Sequence, residues 1–120
     1  MKPKNYYGLA YSKELKDDPR RDKWLKQLER QGLDETETWN LDVVIACFLV
    51  PRLKLFKRKT NCIPEGHTEK KWQKTLDKMI NAFEIIANRE IYALIEPARW
   101  EREVEAGLQL FVKHYHDLWW

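Results

Sequence analysis

Apolar residues recur every three or four positions along most of this chain, which is the pattern of helices that each bury one face. The spacing is most regular between Trp72 and Ala87, and it returns between Trp100 and Leu118. The chain lacks the strict alternation of apolar and polar residues that forms half-buried strands. The pattern predicts an all-α, single-domain bundle of about four main helices, near residues 19–31, 36–58, 69–95 and 98–118.

The most apolar stretch runs from residue 39 to residue 59, and we expect it to be the central helix of the bundle. Residues 43–50 are apolar on every side, which is typical of a helix enclosed by its neighbours. Asp34 and Glu37 fit a capping box ahead of this helix. Pro51 has no N–H for the carbonyl of Cys47, so we expect the central helix to be kinked at Pro51.

Short polar signals mark the ends of the other helices. Asp18 is a suitable N-cap for a helix that starts at Pro19, Gly32 is a suitable stop, and Thr68 is suited to cap the next helix. Residues 1–17 form an N-terminal arm whose aromatic and apolar side chains we expect to dock on the bundle domain, residues 18–120. The docking side chains are Tyr6, Tyr7, Leu9 and Tyr11.

Two features of the last helix lead to specific expectations. Gly107 lies in its middle, where glycine costs about 1 kcal/mol relative to alanine, so we expect another backbone to come close there. The apolar stripe reaches Trp119, which we expect to pack within the bundle. Trp120 turns away from that stripe and is expected to meet the N-terminal arm or, in a homodimer, a second subunit.

Composition narrows the class of protein. The 120 residues suffice for one core, and 22 basic against 19 acidic residues give a net charge of +3, which does not indicate a nucleic-acid binder. Two cysteines provide no disulfide framework and favour a reducing cytoplasm. The apolar run is interrupted by Asp42, Pro51, Arg52 and Lys54, so we expect no membrane span.

Residues suited to catalysis are few and poorly placed. Cys47 and His114 are the one cysteine–histidine pair worth considering, but apolar surroundings raise the pKa of a thiol and make it inert. Carboxylates spaced for Mg²⁺ on helices are Glu101 with Glu105 and Asp77 with Glu84, without the paired motif of nucleotide pyrophosphatases. His114 and His116 point to different faces of a helix. The sequence predicts no catalytic residue, no metal site and no cofactor.

A ligand pocket, if the protein has one, is expected beside Pro51. Arg52 offers a fork of donors for phosphate or carboxylate next to the most apolar helix, with Lys54 or Lys57 assisting. Trp39 offers a stacking surface. Asp42 is expected to pair with a cation on another helix, because a buried charge needs a partner, and it is also included among the candidate ligand-binding residues.

Three blocks of the sequence resemble a family of small uncharacterised proteins from tailed bacteriophages. The first is Trp39-Asn40-Leu41-Asp42 with Ile45-Ala46, Phe48, Pro51-Arg52-Leu53-Lys54 and Phe56-Lys57. The second is Trp72 with Leu76-Asp77-Lys78-Met79-Ile80 and Ala82-Phe83-Glu84, and the third is Gly107-Leu108, Leu110-Phe111, Lys113, Tyr115 and Leu118-Trp119. The resemblance covers roughly residues 33–120. It implies a phage protein acting in the cytoplasm of an infected bacterial cell, and it implies no particular activity.

These observations favour a non-enzymatic phage accessory protein that binds a host protein, with counter-defence as one form of that role. The alternative is an oligomer that binds a nucleotide-like ligand and so sequesters a signalling nucleotide. A metal-dependent nucleotide hydrolase is the least favoured, because the carboxylate motif is missing.

Overall fold

The computed structural model describes residues 9–89 and 97–119, and the regular structure of these residues is helical, without a strand. Helix α1 spans Arg21–Gln31, α2 spans Leu41–Lys59 and α3 spans Glu69–Ala87. Helix α4 joins three consecutive segments, Pro97–Arg99, the π-helical Trp100–Val104, and Glu105–Lys113. Short 3₁₀ turns lie at Tyr11–Lys13, Glu35–Thr38 and Tyr115–Asp117. The predicted all-α fold with four main helices is confirmed.

Gly32 and Thr68 mark helix ends where the sequence placed them, whereas the prediction that Asp18 caps α1 is wrong. Helix α1 begins two residues later than predicted, its N-cap is Arg20, and the Asp18 carboxylate accepts the backbone N–H of Arg20 at 2.9 Å ahead of the helix. Gly32 ends α1 with φ of 80°, a conformation that favours glycine. The Thr68 hydroxyl accepts the N–H of Lys71 at 3.1 Å and caps α3.

Helix α2 starts later than the predicted residue 36. The capping box of Asp34 and Glu37 is present, but it caps the 3₁₀ turn Glu35–Thr38. The chain leaves helical geometry at Asn40, where φ is −131° and ψ is 67°, and α2 begins at Leu41. Pro51 lies inside α2, which continues to Lys59, so the proline removes one backbone hydrogen bond without ending the helix.

Helix α3, and not α2, is the centre of the bundle. It packs against α2 on one side and against α4 on the other. All seven residues of its predicted stripe are buried: Trp72, Leu76, Met79, Ile80, Phe83, Ile86 and Ala87. From α2 the core receives Val43, Ala46, Cys47, Val50 and Leu53, and from α4 it receives Val104.

Gly107 is the point of closest approach between α3 and α4. A Cβ atom at this position would lie 2.2 Å from the Cβ of Ala82 and 2.7 Å from the carbonyl oxygen of Lys78. These separations are far shorter than van der Waals contact, so no larger residue fits without moving α4. The predicted close contact at Gly107 is confirmed.

The expectation for the C-terminal tryptophan Trp119 does not agree with the structure. Trp119 is 63% exposed, so the prediction that it packs within the bundle is wrong. The helical stripe ends earlier, because the chain leaves α4 at His114 and forms a separate 3₁₀ turn. Among the described residues, Leu118 is the last one packed against the core. The predictions for Trp120, for Tyr6 and Tyr7, and for the continuation of helix 69–95 beyond residue 89 fall outside the described residues.

None of the described helices is both long enough and apolar enough to cross a membrane.

Candidate protein-binding surface

Asp34 is a buried polar centre that joins the N-terminal arm to the start of α2. Its side chain is fully buried and accepts hydrogen bonds from the hydroxyl groups of Ser12 and Thr36 and from the backbone N–H of Thr36. The Thr36 hydroxyl also accepts the backbone N–H of Ser12 at 3.1 Å. Because a buried carboxylate needs partners, these bonds fix the arm against the turn Glu35–Thr38.

Four side chains held by this arrangement form a cluster that we call the aromatic corner: Tyr11, Arg20, Trp24 and Trp39. Tyr11 stacks on Trp39 with ring centroids 6.3 Å apart, and Trp24 meets Trp39 edge to face at 5.6 Å. The guanidinium of Arg20 lies 5.0 Å from the Trp24 ring centroid and 5.3 Å from that of Trp39. Trp24 is buried, whereas Trp39 keeps 45% of its surface exposed.

Polar contacts fix the members of the aromatic corner. The indole N–H of Trp24 donates to Glu35 at 3.1 Å. Both carboxylate oxygens of Asp18 accept from the guanidinium of Arg20, at 3.0 and 2.9 Å. These hydrogen bonds lower the pKa of Asp18 to about 2, so the carboxylate stays ionised and holds Arg20 over the rings at any ordinary pH. The exposed indole of Trp39 is therefore presented on a rigid support.

A second feature begins beside the aromatic corner and runs along α2. Four large apolar residues on the solvent side of this helix are between 42% and 51% exposed. Together with Arg52, which lies between them along the helix, they form the surface that we call the outer face of α2. The four apolar residues are Leu41, Ile45, Phe48 and Leu55. The expectation that residues 43–50 are enclosed is therefore wrong for Ile45 and Phe48, because within residues 9–89 and 97–119 only the opposite side of α2 meets other helices.

Arg52 divides the outer face near its middle. Its guanidinium lies 3.8 Å from the ring centroid of Phe48 and donates to the Phe48 carbonyl oxygen at 2.9 Å. Next to it an open groove of about 640 Å³ follows the C-terminal half of α2. The groove is lined by Leu49, Arg52, Leu53, Leu55, Phe56, Lys59 and Leu118. Its walls are apolar, with Arg52 and Lys59 as the charged groups among them.

The predicted ligand-binding residues do not form one cluster. Of the five, Arg52 lines the groove, while Trp39 belongs to the aromatic corner at the other end of α2. Lys54 forms an ion pair with Glu84, and Lys57 forms one with Asp77. Both pairs tie α2 to α3. Whether any of these residues binds a ligand stays a prediction.

Asp42 has the structural partner that the sequence suggested. Its carboxylate pairs with Arg89, which follows α3, and the same guanidinium donates to the side-chain oxygen of Asn40. The side chain of Asp42 is 56% exposed, so this pair lies at the surface and not in the core. The contact fixes the first turn of α2 against the end of α3.

The groups considered for catalysis are separated. Cys47 is buried in the core, and burial raises the pKa of its thiol to about 11, which disfavours the reactive thiolate. Asp77 and Glu84 are occupied in the ion pairs with α2, and Glu105 accepts from Gln109 at 3.0 Å. Within the described ranges, no three histidine, cysteine, aspartate or glutamate side chains are grouped as metal ligands.

His114 is part of a structural cluster. It is 4% exposed, its Nδ1 lies 2.8 Å from Asp117, and its ring is 5.2 Å from Trp72 and 5.0 Å from His67, centroid to centroid. The cluster packs the end of α4 against the start of α3.

Sequence reasoning missed the outer face of α2 and the partners of Trp39. The outer face has a signal in the sequence, because Leu41, Ile45, Phe48 and Leu55 follow a regular spacing of their own beside the core stripe. For the aromatic corner no such signal exists. Tyr11, Arg20 and Trp39 are far apart in the chain; the Asp34 network brings Tyr11 to Trp39, and Asp18 holds Arg20 beside them.

Comparison of this chain with known proteins gives no match to a family model, to a curated protein or to a solved structure.

Proposed function

We propose that this protein is a non-catalytic binding protein and that the aromatic corner is the site where it captures a partner protein. One observation carries the proposal: an indole that is 45% exposed is held between a tyrosine, a second tryptophan and an arginine. Tryptophan, tyrosine and arginine are the residues that contribute most to protein interfaces. Because hydrogen bonds to Asp18, Asp34 and Glu35 already hold the segments and side chains of the cluster, a partner loses little side-chain entropy when it binds there.

The setting of this role comes from the resemblance to small proteins of tailed bacteriophages. On that basis the partner is a host protein in the cytoplasm of an infected bacterium, and counter-defence is one form that the interaction takes. An apolar or aromatic side chain of the host protein would pack on the exposed face of Trp39.

Affinity capture with matched tryptophan variants tests this proposal. The wild-type protein, Trp39→Ala and Trp119→Ala are each immobilised and exposed to the same bacterial lysate. Trp119 is a suitable control, because it is also a tryptophan and is more exposed than Trp39. We expect a host protein that the wild type and Trp119→Ala retain and that Trp39→Ala loses, and binding of the purified partner must reproduce the difference.

The proposal fails if every retained protein binds Trp39→Ala as well as the wild type. It also fails if the purified candidate shows equal affinity for all three proteins. Circular dichroism of each variant shows whether a loss of binding reflects loss of the fold.

A nucleotide is the second candidate ligand, and the groove beside α2 is the observation that favours it. Its volume of about 640 Å³ lies in the range of small-molecule sites, and Arg52 and Lys59 supply cations for phosphate. A thermal-shift screen against linear and cyclic nucleotides, with and without Mg²⁺, tests this candidate. It predicts a rise in melting temperature that Arg52→Gln abolishes, and turnover of the nucleotide would instead indicate a hydrolase.

A further inference from the structure

Together with Lys59 in the last turn, the outer face of α2 has the residue spacing of a coiled-coil seam. Leu41, Ile45, Phe48, Arg52, Leu55 and Lys59 are separated by four, three, four, three and four residues. This is the alternation of a and d positions that keeps side chains on one line along a helix. Helices that are apolar on every side are found enclosed by other helices, yet here Ile45 and Phe48 are 46% and 42% exposed.

The same spacing reads identically from either end of the helix. A copy of α2 can be turned end to end and laid against the original. Each seam residue then lies opposite the residue whose number, added to its own, gives 100. Leu41 then lies opposite Lys59, Ile45 opposite Leu55, and Phe48 opposite Arg52. A surface that matches itself after a half-turn is what a two-fold symmetric dimer requires.

We propose that the outer face of α2 binds the outer face of a second copy of this chain, with the two α2 helices antiparallel. The inference goes beyond the proposed function, because it uses a different surface: Trp39 precedes the first layer of the seam and stays available to a host protein.

Charge favours the antiparallel direction. The first turn of α2 contains Asp42, whereas its last turn contains Lys57, Arg58 and Lys59. Asp42 pairs with Arg89 and Lys57 with Asp77 inside one chain, whereas Lys59 lies in the seam itself. Antiparallel packing places Lys59 opposite Leu41, keeps the two basic last turns apart and sets the two helix dipoles head to tail. Parallel packing would instead bring the two basic ends together, which is unfavourable.

Arg52 fits the centre of this interface. Its guanidinium already lies over the ring of its own Phe48 and has one hydrogen bond to the Phe48 carbonyl. In the antiparallel register the Phe48 ring of the second copy lies opposite Arg52. The two arginines and two phenylalanines then alternate around the symmetry axis, so that each cation contacts aromatic faces and not the other cation.

Sedimentation velocity over a wide range of protein concentration tests the proposal. The wild type is compared with Phe48→Glu, which places a carboxylate in the seam, and with Val112→Glu. Val112 is a matched control, because it is an apolar residue of α4 that is 76% exposed. We expect the wild type and Val112→Glu to approach twice the monomer mass as the concentration rises, and Phe48→Glu to stay at the monomer mass.

A wild type that stays monomeric at every concentration overturns the proposal, and this result does not depend on any variant folding. In that case the outer face of α2 is not a contact between copies of this chain. A dimer that Phe48→Glu leaves intact also overturns it, because the contact then lies elsewhere. A monomeric wild type that still captures a host protein through Trp39 would overturn the dimer and leave the proposed function standing.

Discussion

At the scale of single residues, Asp34 connects two separate segments of the chain. It is fully buried, and its side chain accepts two hydroxyl groups and one backbone N–H. The bonds join Ser12 of the arm to Thr36 of the turn before α2, and so they bring Tyr11 next to Trp39. Asp34 thereby positions Tyr11 against Trp39, while Asp18 holds Arg20 and Glu35 accepts the indole N–H of Trp24.

Replacing Asp34 with alanine is expected to lower the free energy of unfolding by about 2–3 kcal/mol, because the donors of Ser12 and Thr36 lose their buried acceptor. Urea denaturation measures the change. Asp17→Ala is the control, since Asp17 is exposed, and it should change stability by less than about 0.5 kcal/mol. Equal effects of the two substitutions would mean that the Asp34 network contributes little.

The two cysteines provide a second test at this scale. Cys47 is buried and its thiol pKa is raised to about 11 by burial, whereas Cys62 is partly exposed. At pH 8 we expect a thiol reagent to label one cysteine per folded chain rapidly, at Cys62, and both after unfolding. Mass spectrometry of the labelled peptides identifies the site.

The same pKa shift makes stability depend on pH in a defined direction. The unfolded thiol ionises near its ordinary pKa of 9.0, while the folded thiol holds its proton to about pH 11. Above pH 9 the unfolded state therefore binds fewer protons than the folded state, and the Cys47 contribution lowers stability as pH rises. Replacing Cys47 with alanine should reduce this slope between pH 9 and 11, measured by urea denaturation. An unchanged slope would contradict the assignment.

At the scale of elements, the position of α4 depends on Gly107. A side chain there would collide with Ala82 and with the backbone of α3 at Lys78. Two helices that approach this closely behave as one unit, and α4 keeps this contact just after its π-helical segment.

Gly107→Leu is expected to lower the free energy of unfolding by about 1–3 kcal/mol, because the added side chain forces α4 away from α3. Ala106→Leu is the matched control, since it adds a similar volume at an exposed neighbouring position. Thermal or urea denaturation of both variants provides the comparison. If Gly107→Leu melts no lower than Ala106→Leu, the two helices do not pack closely at Gly107 in solution.

The elements also show which features follow from local sequence. The stripe of α3, the cap at Thr68, the stop at Gly32 and the contact at Gly107 each depend on a few neighbouring residues, and all were predictable. The start of α2 was not, because the capping box of Asp34 and Glu37 can cap either a helix or a 3₁₀ turn. The residues next to this capping box do not determine whether a helix or a 3₁₀ turn follows it.

At the scale of the whole molecule, the two errors about burial share one cause: periodicity shows that a face is apolar but does not show what covers it. The outer face of α2 and Trp119 were both expected inside the bundle, and both are exposed in the single chain. The aromatic corner depends on contacts between residues 11, 20, 24 and 39, which no helical spacing relates. The candidate binding surface was therefore the part of the protein least accessible to sequence reasoning.

An apolar helix face left in water is unfavourable, and large exposed apolar patches mark sites of association. The inner side of α2 packs on α3 within the chain. We propose that α2 is a binding element on both of its sides, with its outer side packed on a second copy and the aromatic corner at its start offering Trp39 to a host protein.

Mixed cysteine cross-linking is the most direct test of this claim. Ile45→Cys and Leu55→Cys are made separately in a Cys62→Ser background, where the buried Cys47 does not react, and each is oxidised alone and as a mixture. The antiparallel seam predicts that the mixture forms a disulfide between the two variants and that neither variant links efficiently to itself. Self-linking of Ile45→Cys would show a parallel pair, and the absence of any link in all three samples would contradict the account.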